Sequence, residues 1–156
     1  MSNTRSEIVV DNIIELRKLD RAECLRLLAE QNIGRVVCTD AAMPAALPVN
    51  YRLVGGEVIF RVGRDGQLAA ATRNNVVGFE VDEIDARTHT GWSVLGIGEA
   101  YEILDRKRLS GLASTVPEPW PTYRSTSTIA VPLRVISGRR LAMASWVSNA
   151  LCGEAI

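Results

Sequence analysis

Residues 92–104 read WSVLGIGEAYEIL and form the longest stretch of the chain in which apolar residues occupy alternate positions. This alternation is typical of a β-strand, whose successive side chains point to opposite faces. One face of the predicted strand carries large side chains, namely Leu95, Ile97, Tyr101 and Ile103. The other face is nearly free of side chains, with Gly96, Gly98 and Ala100. A strand needs such small residues where it bends, so the stretch predicts a long strand that curves around a barrel.

Shorter period-two segments lie on both sides of this strand, at residues 33–39, 47–54, 58–62, 77–83 and 129–135. Gly55-Gly56 supplies the positive φ angles of a tight hairpin between two of them. Helices are predicted at only three places, the first of which opens with the capping-box spacing Asp20…Glu23. The other two begin at Gln67 and Asp105. Because a parallel sheet would alternate more regularly with helices, the pattern predicts a mainly β fold with appended α-helices, a six-stranded antiparallel barrel.

The chain has 156 residues, of which 47% are hydrophobic, which suits one domain with a core and is too short for two. We expect residues 20–145 to form the barrel domain, residues 1–19 an N-terminal extension and residues 146–156 a C-terminal tail. The extension contains a β-branched run at residues 8–10, which favours an edge strand.

The charges balance, with 18 Lys and Arg residues against 18 Asp and Glu residues. This balance argues against a protein that binds nucleic acid, because that affinity comes from a cationic surface. The apolar runs fall short of the ~20 residues that a membrane span needs. The first residues also lack the basic-then-apolar order of a signal peptide. We therefore expect a cytoplasmic protein that binds neither nucleic acid nor a membrane.

The scarce residues exclude several kinds of site. Cys24, Cys38 and Cys152 are widely spaced without a C-x-x-C pair, so we expect buried thiols and no disulfide framework. His89 is the only histidine, which excludes sites that need two histidines from one chain, such as H-E-x-x-H zinc sites. No metal site is predicted, and the sequence leaves open whether His89 contacts a ligand or solvent.

The strongest local signal for a ligand is FRVGRDGQL at residues 60–68, where a strand runs into a glycine-containing loop that opens a helix. The N-terminus of a helix attracts phosphate, and Arg61 and Arg64 can add bidentate bonds to it. An ordinary turn with solvated arginines is the alternative.

Two aromatic positions add weaker signals. Asn50 beside Tyr51 on a strand can hydrogen-bond the edge of a planar ring, although Tyr51 also fits a core position. Trp92 can stack on a ring or fill the core.

Seven motifs follow one another between residues 16 and 141: IGRVV (33–37), PVNY (48–51), VIFRV (58–62), GQLAAA (66–71), VGFEVDEID (77–85), TGWSVLGIGEAYEI (90–103) and SGRRL (137–141). Their combination resembles the pyridoxamine 5′-phosphate oxidase-like family of flavin-binding proteins, in particular its small actinobacterial-type branch. The resemblance implies a split β-barrel and a homodimer with two cofactor sites at the subunit interface. It implies FMN as the cofactor, with deazaflavin F420 and heme as alternatives.

The resemblance also implies roles for individual positions. The residues implied to lie against the isoalloxazine ring are Pro48, Val49, Asn50 and Tyr51. The residues implied to hold the cofactor phosphate are Arg61, Val62, Gln67 and Leu68. The residues implied to form a second interface segment and a C-terminal basic pair are Trp92, Ser93, Arg139 and Arg140.

The chain departs from the family pattern at two of these positions. Val62 stands where the family has threonine or serine, and Gln67 stands where it has lysine. A hydroxyl and a cation that would contact phosphate are therefore missing, and Arg64 is the residue that can supply the charge from the loop.

The resemblance implies an FMN-dependent oxidoreductase that passes hydride or electrons between a reduced nicotinamide and a small planar or nitroaromatic molecule. Because the flavin carries this chemistry, no catalytic residue is assigned. The missing hydroxyl and cation favour an alternative, a flavin- or F420-binding protein without robust turnover that acts in cofactor storage or redox sensing. A structural dimer that has lost its cofactor is the third interpretation.

Overall fold

Ten strands and three helices make up residues 13–144, the part of the chain that this computed structural model describes. The strands are β1 (Ile14–Leu19), β2 (Ile33–Asp40), β3 (Met43–Asn50), β4 (Arg52–Val54), β5 (Glu57–Gly63), β6 (Val76–Asp85), β7 (Thr90–Glu99), β8 (Tyr101–Glu102), β9 (Thr126–Pro132) and β10 (Val135–Met143). The helices are α1 (Arg21–Glu30), α2 (Gln67–Thr72) and α3 (Arg106–Leu112). Within this part of the chain, no helix is long and apolar enough to cross a membrane.

The strands form two antiparallel sheets. The larger sheet has six strands in the order β1-β10-β7-β6-β2-β3, and the smaller has four in the order β4-β5-β9-β8. The inner faces of both sheets share one hydrophobic core, which contains the aromatic side chains of Tyr51, Phe60 and Phe79. The rings of Tyr51 and Phe79 meet edge to face, with their centroids 4.8 Å apart. The predicted class, a mainly β antiparallel split barrel with appended helices, is confirmed.

Two segments predicted as continuous strands cross from one sheet to the other. The chain changes sheet at Tyr51, between β3 and β4, and at Ala100, between β7 and β8. The hairpin between β2 and β3 turns at Ala41 and Ala42, whose φ angles are 48° and 65°. Positive φ angles in such a turn usually belong to glycine or asparagine, and neither residue is present here. The changes at Tyr51 and Ala100 turn the six predicted strands into eight, and β1 and β10 bring the number in the described residues to ten.

The glycine face of β7 is the buried face. Gly96 and Gly98 are buried, whereas Leu95 and Ile97 on the opposite face are each 37% exposed. A Cβ atom added at Gly98 would overlap the carbonyl oxygen of Pro132 at the end of β9. The glycines therefore allow the two sheets to approach each other closely, and bulkier residues at these positions would prevent this approach.

The first described strand belongs to the larger sheet. β1 lies within residues 1–19, which were expected to be an extension, and it pairs with β10 along its whole length. The run at residues 8–10 and the predicted tail at 146–156 lie outside the described residues. Cys24 and Cys38 are buried free thiols, as predicted, and burial raises the pKa of both.

α3 packs on the outer face of the four-stranded sheet, where it contributes to a second apolar cluster of Ile59, Ile103, Leu112, Val116 and Ala130. A polar triad fastens this helix to the sheet. The Tyr101 hydroxyl donates to Glu57 Oε1 at 2.7 Å, and Arg108 donates to the Tyr101 oxygen at 2.7 Å. The segment that follows α3 therefore begins at a helix that is anchored to the four-stranded sheet.

The close approach at β7 gives a test of the fold. We expect Gly98→Ala to lower the free energy of unfolding by about 3 kcal/mol, because the added methyl group has to displace backbone atoms. The matched control is Gly111→Ala in α3, where a Cβ meets nothing within 4 Å. That change should stabilise the protein by up to about 1 kcal/mol through helix propensity. Urea denaturation of both variants measures the difference, and equal stabilities would contradict the proposed packing.

Candidate functional site

A cleft of about 330 Å³ lies between the ends of β3 and β5, the start of α2 and the segment that follows α3. Seven of the residues predicted to bind a cofactor line it: Pro48, Val49, Asn50, Arg61, Val62, Gln67 and Leu68. The remaining lining residues are Ile33, Leu47, Gly63, Gly66, Pro119, Trp120, Pro121 and Tyr123. The walls are largely apolar, and a small number of polar groups converge on them, which is the usual composition of a small-molecule site.

The loop between β5 and α2 forms one end of the cleft. The backbone N–H of Gly66 donates to the carbonyl of Gly63 at 3.1 Å, which closes the turn just before Gln67 begins the helix. Gly63 also provides room for an aromatic ring, since a Cβ there would lie 2.7 Å from Cδ1 of Tyr123. α2 has six residues, so its dipole is small and the charge of the cleft comes mainly from Arg61.

Residues 113–123, which we call the strap, pass over Arg61. The Arg61 side chain is only 11% exposed, and its guanidinium forms an ion pair with the carboxylate of Glu118. It also donates to the carbonyl of Ala113 at 3.3 Å. The side-chain amide of Asn50 donates to the carbonyl of Glu118 at 2.7 Å. Two predicted ligand-binding residues are therefore bonded to one residue of the strap.

The two positions that depart from the family pattern also have partners within the chain. The Gln67 side-chain amide donates to the carboxylate of Asp40 at the end of β2. Val62 is buried and lies opposite Ser127 on β9. Within residues 13–144, the buried hydroxyl oxygen of Ser127 has no hydrogen-bond partner. The hydroxyl of the residue opposite position 62 is thus buried and does not line the cleft.

Tyr51 and Arg64 do not line the cleft. The Tyr51 side chain is fully buried in the core, and its hydroxyl donates to the carbonyl of Leu28 at 2.6 Å. Burial raises the pKa of this hydroxyl. Arg64 is exposed in the loop and donates to the carbonyl of Thr126 at 3.4 Å. The core interpretation of Tyr51 therefore fits the structure, and Arg64 lies outside the lining of the cleft.

The other predicted residues lie elsewhere on the chain. Trp92 and Arg140 are directly opposite each other on β7 and β10, and both line a second, more open cleft beside the β6–β7 hairpin. Ser93 and Arg139 form the next opposite pair, which lies on the outer face of the six-stranded sheet. Trp92 is buried in the hydrophobic core, and none of these four residues lines the first cleft within one chain. His89 is exposed in the turn of that hairpin with a φ of 57°.

The strap contributes residues that sequence reasoning did not assign to the site. The run Pro117-Glu118-Pro119-Trp120-Pro121 indicates only a non-helical surface segment. Its Trp120 is 75% exposed in the structure, although it lines the cleft. One signal in the sequence could have identified Trp120 as a site residue. It is a tryptophan between two prolines, in a stiff segment that has neither a helical nor a strand pattern.

These features define a split-barrel protein with a largely apolar cleft whose one lining cation, within the part of the chain that the structure describes, is Arg61. A family model described as pyridoxamine 5′-phosphate oxidase matches residues 20–140. A protein of Mycobacterium tuberculosis designated Rv0080 is 36% identical over 132 residues, covering 81% of this chain and 86% of that protein. The chain belongs to the pyridoxamine 5′-phosphate oxidase family.

Solved structures agree with this assignment. An FAD-binding protein from Mycobacterium smegmatis has a TM-score of 0.68 and 31% identity, covering 80% of this chain and 98% of that one. A putative pyridoxamine 5′-phosphate oxidase from Corynebacterium glutamicum has a TM-score of 0.69 and 22% identity, covering 83% of this chain and 95% of that one. The second likeness supports the fold alone.

The position of Tyr51 leads to a prediction that separates stability from binding. We expect Tyr51→Phe to lower the free energy of unfolding by about 1 kcal/mol, because a buried carbonyl loses its donor. Ligand affinity should stay unchanged, since the hydroxyl faces the core. The control is Tyr123→Phe on the cleft, a change at a half-exposed residue that should alter stability by about 0.5 kcal/mol or less. Thermal denaturation and ligand titration of both variants provide the measurements. Weaker ligand binding by Tyr51→Phe would contradict this prediction and indicate that Tyr51 contacts the ligand.

Proposed function

We propose that the cleft binds the flavin nucleotide FMN and that the protein is a homodimeric flavin-dependent oxidoreductase. The observation that carries the proposal is the gathering of seven predicted cofactor-binding residues, from three separate chain segments, around one cleft. Membership of the pyridoxamine 5′-phosphate oxidase family supports it, as does the likeness to an FAD-binding protein at 31% identity.

The residues of the cleft suit the two ends of such a cofactor. Leu47, Val49 and Leu68 offer apolar surface to a planar ring, and the amide of Asn50 can donate to an oxygen at its edge. Arg61 is the cation of the cleft and suits a phosphate, which a guanidinium binds in a bidentate manner. A bound flavin would supply the group that accepts or donates hydride, and the protein would bind, orient and shield it.

The outer face of the six-stranded sheet supports the homodimer. Four residues form a row across neighbouring strands: Val37, Gly78, Ile97 and Val135. Leu95 lies beside this row, and the large side chains among these residues are exposed. An apolar patch on a sheet face is typical of a protein contact, and a second copy of the chain suits it because most soluble oligomers are symmetric dimers. In the proposed dimer, Ser93 and Arg139, which lie on this outer face, would complete the partner's cleft, whereas Trp92 and Arg140 lie on the opposite face and Trp92 is buried in the core.

One observation favours the second candidate function, a flavin- or F420-binding protein without robust turnover. Arg61 is paired with Glu118, and Gln67 is bonded to Asp40, so acidic side chains of the chain itself occupy both groups that would hold phosphate. A cofactor held loosely at this end suits storage or sensing better than rapid turnover.

Titration with FMN tests the proposal and the role of Arg61 together. We expect FMN to bind at micromolar concentration and Arg61→Ala to weaken binding by about tenfold to a hundredfold, because a charge-assisted bond to phosphate is lost. Arg64→Ala is the matched control and should bind as the wild type does, since Arg64 does not line the cleft. Flavin fluorescence measures each affinity, with FAD, F420 and heme titrated in parallel. If the protein does not bind FMN, the proposal fails, and binding of F420 instead would support the second candidate function.

The dimer has its own test. We expect Ile97→Asp to convert the dimer to a monomer, because a carboxylate on the apolar row would be buried without a partner. Leu104→Asp is the control, since Leu104 is exposed outside both sheets. Analytical ultracentrifugation gives the mass, and circular dichroism verifies that both variants are folded. A wild-type protein that sediments as a monomer would refute the dimer.

A further inference from the structure

The two polar groups best placed to bind a ligand in the cleft are both bonded to Glu118. Its carboxylate is ion-paired with Arg61, and its carbonyl accepts a hydrogen bond from Asn50 at 2.7 Å. The two partners of the ion pair differ in exposure, since the Arg61 side chain is 11% exposed and the Glu118 side chain 74%. The carboxylate can therefore leave into solvent, whereas the guanidinium stays in the cleft.

The strap is held firmly at its ends and weakly in its middle. At its start, Val116 is buried in the apolar cluster under α3. At its end, the Tyr123 ring packs against Gly63. Between them the prolines at positions 117, 119 and 121 offer no backbone N–H to bind the sheet. Breaking the contacts of Glu118 would therefore free the middle of the strap without disturbing its two ends.

We propose that Glu118 determines the ligand specificity of the cleft by competing within the chain for Arg61. A ligand with a phosphate group has to displace this carboxylate before it can bind the guanidinium, whereas an uncharged ligand does not. If the ion pair is closed about nine-tenths of the time, the apparent Kd of a phosphate-bearing ligand rises about tenfold. The inference rests on the proposed function in taking that ligand to be a flavin nucleotide.

Asp40 supports the same direction of selectivity. Its carboxylate accepts a hydrogen bond from Gln67, at the position where the family has a lysine. The end of the cleft that would meet a phosphate thus carries two carboxylates from the chain itself, one on each candidate donor. Like charges disfavour a dianion there, but they leave the apolar walls of Leu47, Val49 and Leu68 unchanged.

A pair of flavins that differ only by the phosphate tests the inference. We expect Glu118→Gln to bind FMN about tenfold more tightly than the wild type, with riboflavin affinity unchanged. In an Arg61→Ala background the same substitution should have no effect on FMN, because the competition needs both partners. Asp65→Asn is the matched control, an exposed acid in the neighbouring loop that is not bonded to Arg61, and it should alter FMN affinity by about twofold or less.

The outcomes separate the inference from the proposed function. An unchanged or lower FMN affinity in Glu118→Gln, with flavin still bound, overturns the competition and leaves the flavin site standing. If neither flavin binds any variant, the proposed function fails, and inorganic pyrophosphate becomes the probe. Fluorine NMR of 5-fluorotryptophan-labelled protein then follows the chemical shift of Trp120 as pyrophosphate is added. The Trp120 signal is identified by its loss in the variant Trp120→Phe. A shift at about tenfold lower pyrophosphate concentration in Glu118→Gln supports the inference, whereas equal concentrations or no shift overturn it.

Discussion

The structure depends on the close approach of the two sheets at the glycines of β7. At Gly96 a Cβ would lie 2.5 Å from Leu133 Cδ2, and at Gly98 it would overlap the carbonyl of Pro132. Because β9 lies directly on β7, the smaller sheet covers one face of the larger, and Leu95 and Ile97 are left on the outside. β5 pairs with β9 and so follows it into this position, which brings the phosphate-binding candidate Arg61 toward the end of β3. The cleft is thus a consequence of how closely two backbones can pack.

Much of this fold could be predicted from local patterns. The capping box at Asp20 forms, with Glu23 N–H donating to the Asp20 carboxylate at 2.9 Å, and the Gly55-Gly56 hairpin joins β4 and β5. The buried face at residues 95–98 could not be predicted, because alternation defines two faces and hydrophobicity there favours the face of Leu95 and Ile97, which is exposed. The glycine face is buried because it contacts β9, about 35 residues later in the chain. The strand propensities of neighbouring residues contain no information about such a distant contact.

The site shows the same division between local and distant information. The resemblance to a family identified seven cleft residues because motifs keep their positions in a shared fold. It could not identify Glu118, since the ion pair with Arg61 joins residues 57 positions apart and the strap has no periodic pattern. It also placed Trp92 and Arg140 with the same ligand, yet the fold of one chain puts them beside another hairpin. Trp92 is buried in the core, and any part for Arg140 in the site would require a second copy of the chain, which no pattern within one chain can establish.

The balance of charge in the whole chain is repeated inside the cleft. Arg61 faces the carboxylate of Glu118, the amide of Gln67 is bonded to Asp40, and Arg64 is bonded to a backbone carbonyl. A paired cation can still bind an anion, because its bond to a carboxylate can be exchanged for a bond to phosphate. The free energy of that exchange is the difference between the free energies of the two bonds. Affinity for an anion is then set by that exchange, and affinity for a ring by the apolar walls. Separate parts of one cleft can therefore recognise the two ends of a nucleotide independently, and a single carboxylate can shift the selectivity between phosphorylated and unphosphorylated forms of the same ring.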